Sequence, residues 1–277
     1  MINKNFVPLI YKYLSVSYIS VLVLVSKSGA VLFLLSDTNT YFNLKTQERM
    51  KKIVVLTGAG ISAESGINTF RATDGLWEGH DVMEVATPEG FAKNPKLVLD
   101  FYNQRRAELL KVMPNKAHTN LVSLETIFDL QIITQNVDDL HERAGSSNVI
   151  HLHGELLKVR SSVDESLVLN WNKDLALGDF CPKKSQLRPH IVWFGEKVPL
   201  LDDAIKLVEE ADILIIIGTS MQVYPAASLI NYTQQNIPIY FIDPNPSVSD
   251  RNFNNLTIIE NTARKGTDEL LKLLAKL

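Results

Sequence analysis

His153 stands at the end of a strand-like run, Val149-Ile150-His151-Leu152, and is followed by Gly154-Glu155. An imidazole titrates near neutral pH, which suits a general base. His151 and His153 are two apart and would share a face of a strand, as a metal pair would, but no third ligand is near them in sequence. A second polar cluster, Thr134-Gln135-Asn136-Val137-Asp138-Asp139-Leu140-His141, also follows an apolar strand. Its amides and carboxylates can hydrogen-bond an amide or a ribose, or can simply cap a helix over 139–144. A third junction, Gly218-Thr219-Ser220 after Ile213–Ile217, offers hydroxyls for phosphate or ribose, and Asp243-Pro244-Asn245 ends a further strand in the same manner. Either tripeptide could also be a plain turn.

A fourth segment, Gly58-Ala59-Gly60-Ile61-Ser62-Ala63, follows the apolar run Ile53–Thr57. Gly58, Gly60 and Ala63 fit the G-x-G-x-x-G/A dinucleotide fingerprint: a tight turn, a close approach to pyrophosphate, and close helix–sheet packing. The helix start behind it predicts an anion site. Alone, the fingerprint is weak. A hydride-transferring dehydrogenase needs a second strand ending in an acid about 20 positions on. Here a polar loop, 72–81, and helix-like sequence occupy that distance, which predicts a cofactor covered by a loop and helices.

These clusters need a sheet that gathers its loop ends. Strand-like runs recur at 52–57, 130–134, 148–151, 190–193, 212–217, 238–242 and 256–259, with helical patterns at 97–112, 117–128, 200–211, 226–235 and 262–277. The alternation predicts an α/β fold, a Rossmann-like parallel sheet covered on both faces. Residues 155–189 break it. They are polar and lack a long apolar strand, so they read as a smaller inserted module, with 72–113 beside it. A cleft between the two is a usual ligand site.

The chain has 277 residues, 45% of them hydrophobic, and a net charge of −3, which gives no electrostatic case for a nucleic-acid partner. The single cysteine, Cys181, excludes an internal disulfide and suits a reducing, cytoplasmic setting. Residues 1–49 differ from the rest: Tyr13–Val25 carries no charge, and Lys27 then interrupts the apolar sequence before Ala30–Leu35. That is a poor spanning helix. The favoured reading is an extension outside the fold, upstream of a start at Met50. A membrane-surface anchor comes second, the one route to membrane contact, and a cleaved signal third.

Taken together, the clusters resemble the sirtuins, NAD-dependent protein lysine deacylases. The resemblance runs from about 52 to 277 and rests on Gly58–Arg71, Thr134–Asp138, His151–Glu155, Pro189-His190-Ile191-Val192-Trp193-Phe194-Gly195-Glu196 and Gly218–Ala226. It implies that residues 50–277 form the catalytic domain. Gly58, Ala59, Gly60, Ile61, Ser62, Ala63, Phe70 and Arg71 would hold NAD. Gln135, Asn136 and Asp138 would line the nicotinamide and ribose pocket, with Asn136 and Asp138 joining His153, the general base, in catalysis. Gly218, Thr219, Ser220, Asn245 and Ala263 would contact the adenosine side. Val192, Phe194 and Gly195 would lie along the acyl-lysine peptide, added as a strand. The implied reaction transfers the acyl group to ADP-ribose, releasing nicotinamide, free lysine and O-acyl-ADP-ribose. Segment 66–81 would close the pocket against water. An ADP-ribosyltransferase or NAD hydrolase on the same fold is the alternative. An inactive NAD sensor is disfavoured by the presence of His153, Asn136 and Asp138.

Tyr102 and Arg105 share a helix face. A helix-surface aromatic and cation are ordinary, but in the sirtuin subgroup that removes succinyl and malonyl groups a Tyr-x-x-Arg sits at this place. The resemblance therefore implies that the pair reads the distal carboxylate of an acidic acyl group. Thr73 departs from the subgroup, which has Ala there, and adds bulk at the pocket wall. Most sirtuins also hold a structural zinc on four cysteines. Cys181, with Ser161 and Ser162 where the first pair would fall, cannot supply such a site, so no zinc is expected and Trp171, Phe180 and Pro182 must hold the module by packing.

Overall fold

The computed structural model describes residues 14–16, 19–25, 31–36, 46–47, 49–69, 76–77, 79–247 and 255–276. The chain divides into two units, Met1–Met50 and Lys51–Leu277. In the first, β1 (Leu14–Val16), β2 (Ile19–Val25), β3 (Val31–Ser36) and β4 (Thr46–Gln47) form an antiparallel sheet in chain order. The run ISVLVLV is rich in β-branched residues, which favour a pleated strand over a helix. Among the described residues, no helix is long and apolar enough to cross a membrane.

The second unit opens with β5 (Lys52–Thr57), α1 (Gly60–Ala63), β6 (Leu76–Trp77) and β7 (His80–Asp81). Three helices follow: α2 (Val82–Val85), α3 (Pro88–Lys93) and α4 (Pro95–Leu109). Then come α5 (Lys116–Leu124), β8 (Asp129–Thr134), α6 (Leu140–Ala144) and β9 (Val149–His151). The chain continues through β10 (Gly154–Ser161), β11 (Val168–Asn170), β12 (Leu187–Ile191), α7 (Leu201–Glu209) and β13 (Ile213–Ile217). It closes with β14 (Ile239–Ile242), β15 (Leu256–Ile259) and α8 (Ala263–Leu274).

Six strands form the parallel sheet, in the order β15-β14-β13-β5-β8-β9. Strand alternation feeds two cores: Ile53, Val55, Ile213 and Ile215 face α5 and α8, whereas Val54, Leu56, Leu214 and Ile216 face the α7 side. Chain order reverses between β5 and β13, so the segments that follow their loops pass to opposite faces of the sheet, Ile61 to one core and Ala226 to the other, and a crevice opens beyond the carboxyl ends. Gly58 and Gly218 are the first residues of those loops.

One strand expectation fails. The run 190–193 does not join the parallel sheet; β12 pairs antiparallel with β10 in a three-stranded sheet, β11-β10-β12. Residues 155–189 hold no long apolar strand, but a polar one, β10, runs through them, and its buried Arg160 is neutralised by Glu196 at 3.0 Å. Segment 226–235 is helical, as a 3₁₀ helix over Ala226–Tyr232.

The small sheet packs under α4 through Leu99, Val159, Leu175, Cys181 and Leu187. Trp171 borders this cluster, but Phe180 is 61% exposed and Pro182 is also exposed, so neither holds the module. Hydroxyls contribute instead. The Cys181 thiol lies 3.4 Å from Ser161 Oγ and 3.1 Å from Ser185 Oγ, and the two hydroxyls are 2.8 Å apart. One thiol among mutually bonded neutral hydroxyls does not fit a structural zinc, which takes thiolates or imidazoles on four sides.

Gly154 couples this sheet to the site. It adopts φ +84°, and a Cβ there would run into the backbone carbonyl of His190. Gly154→Ala is expected to cost about 3 kcal/mol from backbone strain and overpacking, read as a lowered denaturant midpoint. An unchanged midpoint would show that the two backbones can separate freely.

Candidate active site

The four polar clusters meet at the carboxyl ends of β5, β8, β9 and β13. Gly60 N–H donates to Gly218 O at 2.8 Å, and Gly58 N–H to Ile217 O at 3.0 Å. Gln135 Nε2 donates to Thr219 Oγ1 at 3.0 Å, tying the β8 loop to the β13 loop. Ser62 Oγ donates to Asp138 Oδ2 at 2.9 Å and accepts from Asn136 Nδ2 at 3.2 Å. His153 Nδ1 meets Gln135 O at 3.0 Å, and Val192 N–H donates to His153 O at 2.9 Å. Residues more than 150 positions apart in sequence thus share one hydrogen-bonded floor.

Above the floor lies a cavity of about 610 Å³, within the range of small-molecule sites. It is lined by Gly58, Ala59, Gly60, Ala63, Gln135, Asn136, Asp138 and His153, and on the other side by Gly218, Thr219, Ser220, Asn245 and Ala263. Tyr102, Arg105, Val192, Phe194 and Gly195 complete it. Ile61 and Ser62 do not reach it: both are fully buried, Ile61 in the sheet core and Ser62 under Asp138. Their side chains position the loop. Phe70, Arg71 and Thr73 lie outside the described residues, as do 70–75 and 78 of the expected closing segment. Gly66, Asn68 and Trp77, which flank the gap, border the cavity.

The glycine turn works differently from the fingerprint reading. A Cβ on Gly60 would sit 2.5 Å from Gly218 Cα, and one on Gly218 2.5 Å from Ile61 N. The glycines are needed for two loops to touch. Ala63 is exposed to the cavity and does not pack on the sheet. The helix behind the turn is only four residues long, too short for a strong dipole. The longer helix whose first turn faces the cavity is α8: Thr262 and Ala263 line the wall, and Thr262 makes no side-chain cap bond. A dinucleotide fits this frame, with glycine backbone on one side, hydroxyls and amides on the other, and a helix N-terminus at one end.

The two histidines of the β9 end have opposite electrostatics. A carbonyl can only accept, so His153 Nδ1 carries the proton and Nε2 keeps its lone pair. Burial lowers its pKa, and the Gln135 carbonyl only partly offsets that. His151 faces Asn136 O at 3.1 Å through Nδ1 and Glu142 Oε1 at 2.8 Å through Nε2. Burial would lower its pKa too, but the Glu142 carboxylate prevails and raises it. His151 is a strut under the Asn136 backbone, with both ring nitrogens engaged by oxygen acceptors, which leaves neither lone pair for a metal. Burial also pushes the Asp138 carboxyl up, although it accepts from Leu140 N–H and Ser62 Oγ. Asp138 thus caps α6 and anchors the glycine loop at once.

A pKa lowered by burial at His153 predicts a particular acid limb for any reaction in which this imidazole accepts a proton. The kcat/KM profile is expected to stay flat down to the ordinary histidine range, about pH 6.5, and to fall only at lower pH. A midpoint above 7 would show that another group controls the limb.

Arg105 borders the cavity, with its guanidinium carbon 4.7 Å from the Phe101 ring centroid and its Nε 3.6 Å from Glu108. Tyr102 is fully buried beside it in the wall. Trp193, Trp77, Tyr224 and Asp243 also line the cavity. The sequence reading gave Trp193 and Tyr224 no individual role beyond the motifs that contain them, placed Trp77 only within the closing segment, and left Asp243 as either a strand-end polar group for phosphate or ribose or a plain turn.

Residues 58–225 match the model of the Sir2 family. The NAD-dependent protein deacylase of Helicobacter pylori is 67% identical over 195 residues, 70% of this chain and 85% of that protein. A solved Sir2 homologue–NAD complex has a TM-score of 0.73 at 42% identity, covering 82% of this chain and 90% of its own. A Sir2 bound to acetylated peptide has a TM-score of 0.66 at 28% identity, covering 82% and 94%. The family match takes in more than half of the chain and both glycine loops that floor the cavity, and the protein belongs to the Sir2 family.

Proposed function

We infer that the chain is an NAD-dependent protein lysine deacylase that accepts succinyl and malonyl as well as acetyl groups. The observation that carries the reading is that the glycine loops, His153 with its Nδ1 held by the Gln135 carbonyl, and the Tyr102/Arg105 pair all border one cavity. Deacylase relatives, and neighbours solved with NAD and with acetylated peptide, support the substrate classes.

NAD supplies a sugar carbon with nicotinamide as its leaving group, and an ADP-ribose that accepts the acyl chain. The residues supply placement and proton transfer. Gly58, Gly60 and Gly218 bring two loops close enough to form one wall. Gln135 and Thr219 brace each other across it, and Asn136 is held by Ser62. His153 Nε2 takes a proton from a ribose hydroxyl, while the Gln135 carbonyl keeps the ring in the right tautomer. Val192, Phe194 and Gly195 border the cavity where an extended peptide would add. Arg105 and Tyr102, on the wall of the same cavity, would read an acyl carboxylate by charge and hydrogen bonding.

Mass spectrometry of acetylated and succinylated peptides incubated with NAD tests this. Nicotinamide, deacylated peptide and O-acyl-ADP-ribose are expected in equal amounts. Nicotinamide release without loss of the acyl group would favour NAD hydrolysis, and ADP-ribosylated protein would favour a transferase.

A further inference from the structure

Trp193 donates its indole N–H to the Tyr102 hydroxyl oxygen at 3.0 Å, and both residues are buried. A phenol oxygen has one proton to give and room to accept. With its oxygen accepting from Trp193, the Tyr102 hydroxyl aims its own proton away from the indole, and Tyr102 and Arg105 line the cavity together. Burial raises the phenol pKa, so the proton stays on the oxygen.

The indole is itself clamped. The Arg188 guanidinium lies 3.4 Å from its ring centroid. Arg188 Nη1 and Nη2 reach Glu196 at 2.6 and 3.0 Å, and Arg160 Nη2 reaches it at 3.0 Å. Glu196 also accepts the backbone N–H of Trp193 at 2.8 Å. Two arginines and a carboxylate therefore fix the ring that fixes the phenol. Phenylalanine at 193 would keep a face for Arg188 but could not donate.

We propose that Trp193 is a specificity-determining positioning residue: its indole N–H commits the Tyr102 hydroxyl to donating toward the distal carboxylate of an acidic acyl group. Glu196 and Arg188 act through it. The inference rests on the reading of Tyr102 and Arg105 as carboxylate readers.

Its test is the ratio of KM for a succinyl-lysine peptide to KM for the matching acetyl-lysine peptide. Trp193→Phe is expected to raise that ratio about 3- to 10-fold, the scale of one neutral hydrogen bond. In a Tyr102→Phe background the same change should add nothing further, because the two residues act through one bond. If Tyr102→Phe alone leaves the ratio unmoved, the carboxylate-reading assignment is wrong and the inference falls with it. If Tyr102→Phe raises the ratio but Trp193→Phe does not, or does so equally in both backgrounds, only the role of Trp193 is overturned. A measurement on the native residue guards against misfolding of the variant. The indole N–H resonance of Trp193, one of three tryptophans, should shift more with succinylated than with acetylated peptide. Equal shifts would overturn the proposal.

Discussion

Replacing His153 by alanine is expected to lower kcat for NAD-dependent deacylation by roughly 10²- to 10⁴-fold, the usual contribution of a positioned general base. KM for peptide should move little, because the imidazole's recorded bond is to Gln135 O in the floor. Stability should fall by only about 1 kcal/mol, for one buried carbonyl losing its partner. Steady-state kinetics beside a denaturation curve separates the two effects. Activity retained within tenfold would remove His153 from the chemistry. Loss of the fold would make the ring a core element.

The second large effect is expected at Arg105. Arg105→Met keeps the length of the aliphatic stem but removes the charge and the guanidinium that lies over the Phe101 ring. A charge-assisted hydrogen bond contributes about 1.5–3 kcal/mol, so the succinyl-to-acetyl ratio of kcat/KM should drop roughly 10- to 100-fold. Glu108, 3.6 Å away and half exposed, balances the guanidinium before a substrate arrives, which sets the lower end of that range. Competition assays with mixed peptides read the ratio directly. An equal fall for both acyl groups would show that Arg105 serves the helix and not the substrate.

The parallel sheet was legible because its strands are short apolar runs separated by helical periodicity, and both faces are buried. The site was legible because polar clusters stood at the strand ends: His153, Asn136 and Gly218 each follow a strand that the sheet brings to one edge. The small sheet was not. Arg160 hides β10, since its buried charge makes sense only once Glu196, thirty-six positions on, is seen beside it. The purpose of Gly60 was equally invisible: the atoms that exclude a Cβ there belong to Gly218. Trp193 reads as one more aromatic in an apolar stretch, and its donor role depends on a tyrosine ninety-one positions away. Local pattern carries what is local. Contacts between distant loops carry the rest.

The Ser161–Cys181–Ser185 knot has a thermodynamic corollary. A fold stapled by an ion gains stability with the free concentration of that ion, and loses it when the ion is scarce. Three side chains that satisfy one another carry no such concentration dependence. At this knot the small sheet is held by hydrogen bonds and the packing around them, and the strength of that clasp is set within the chain.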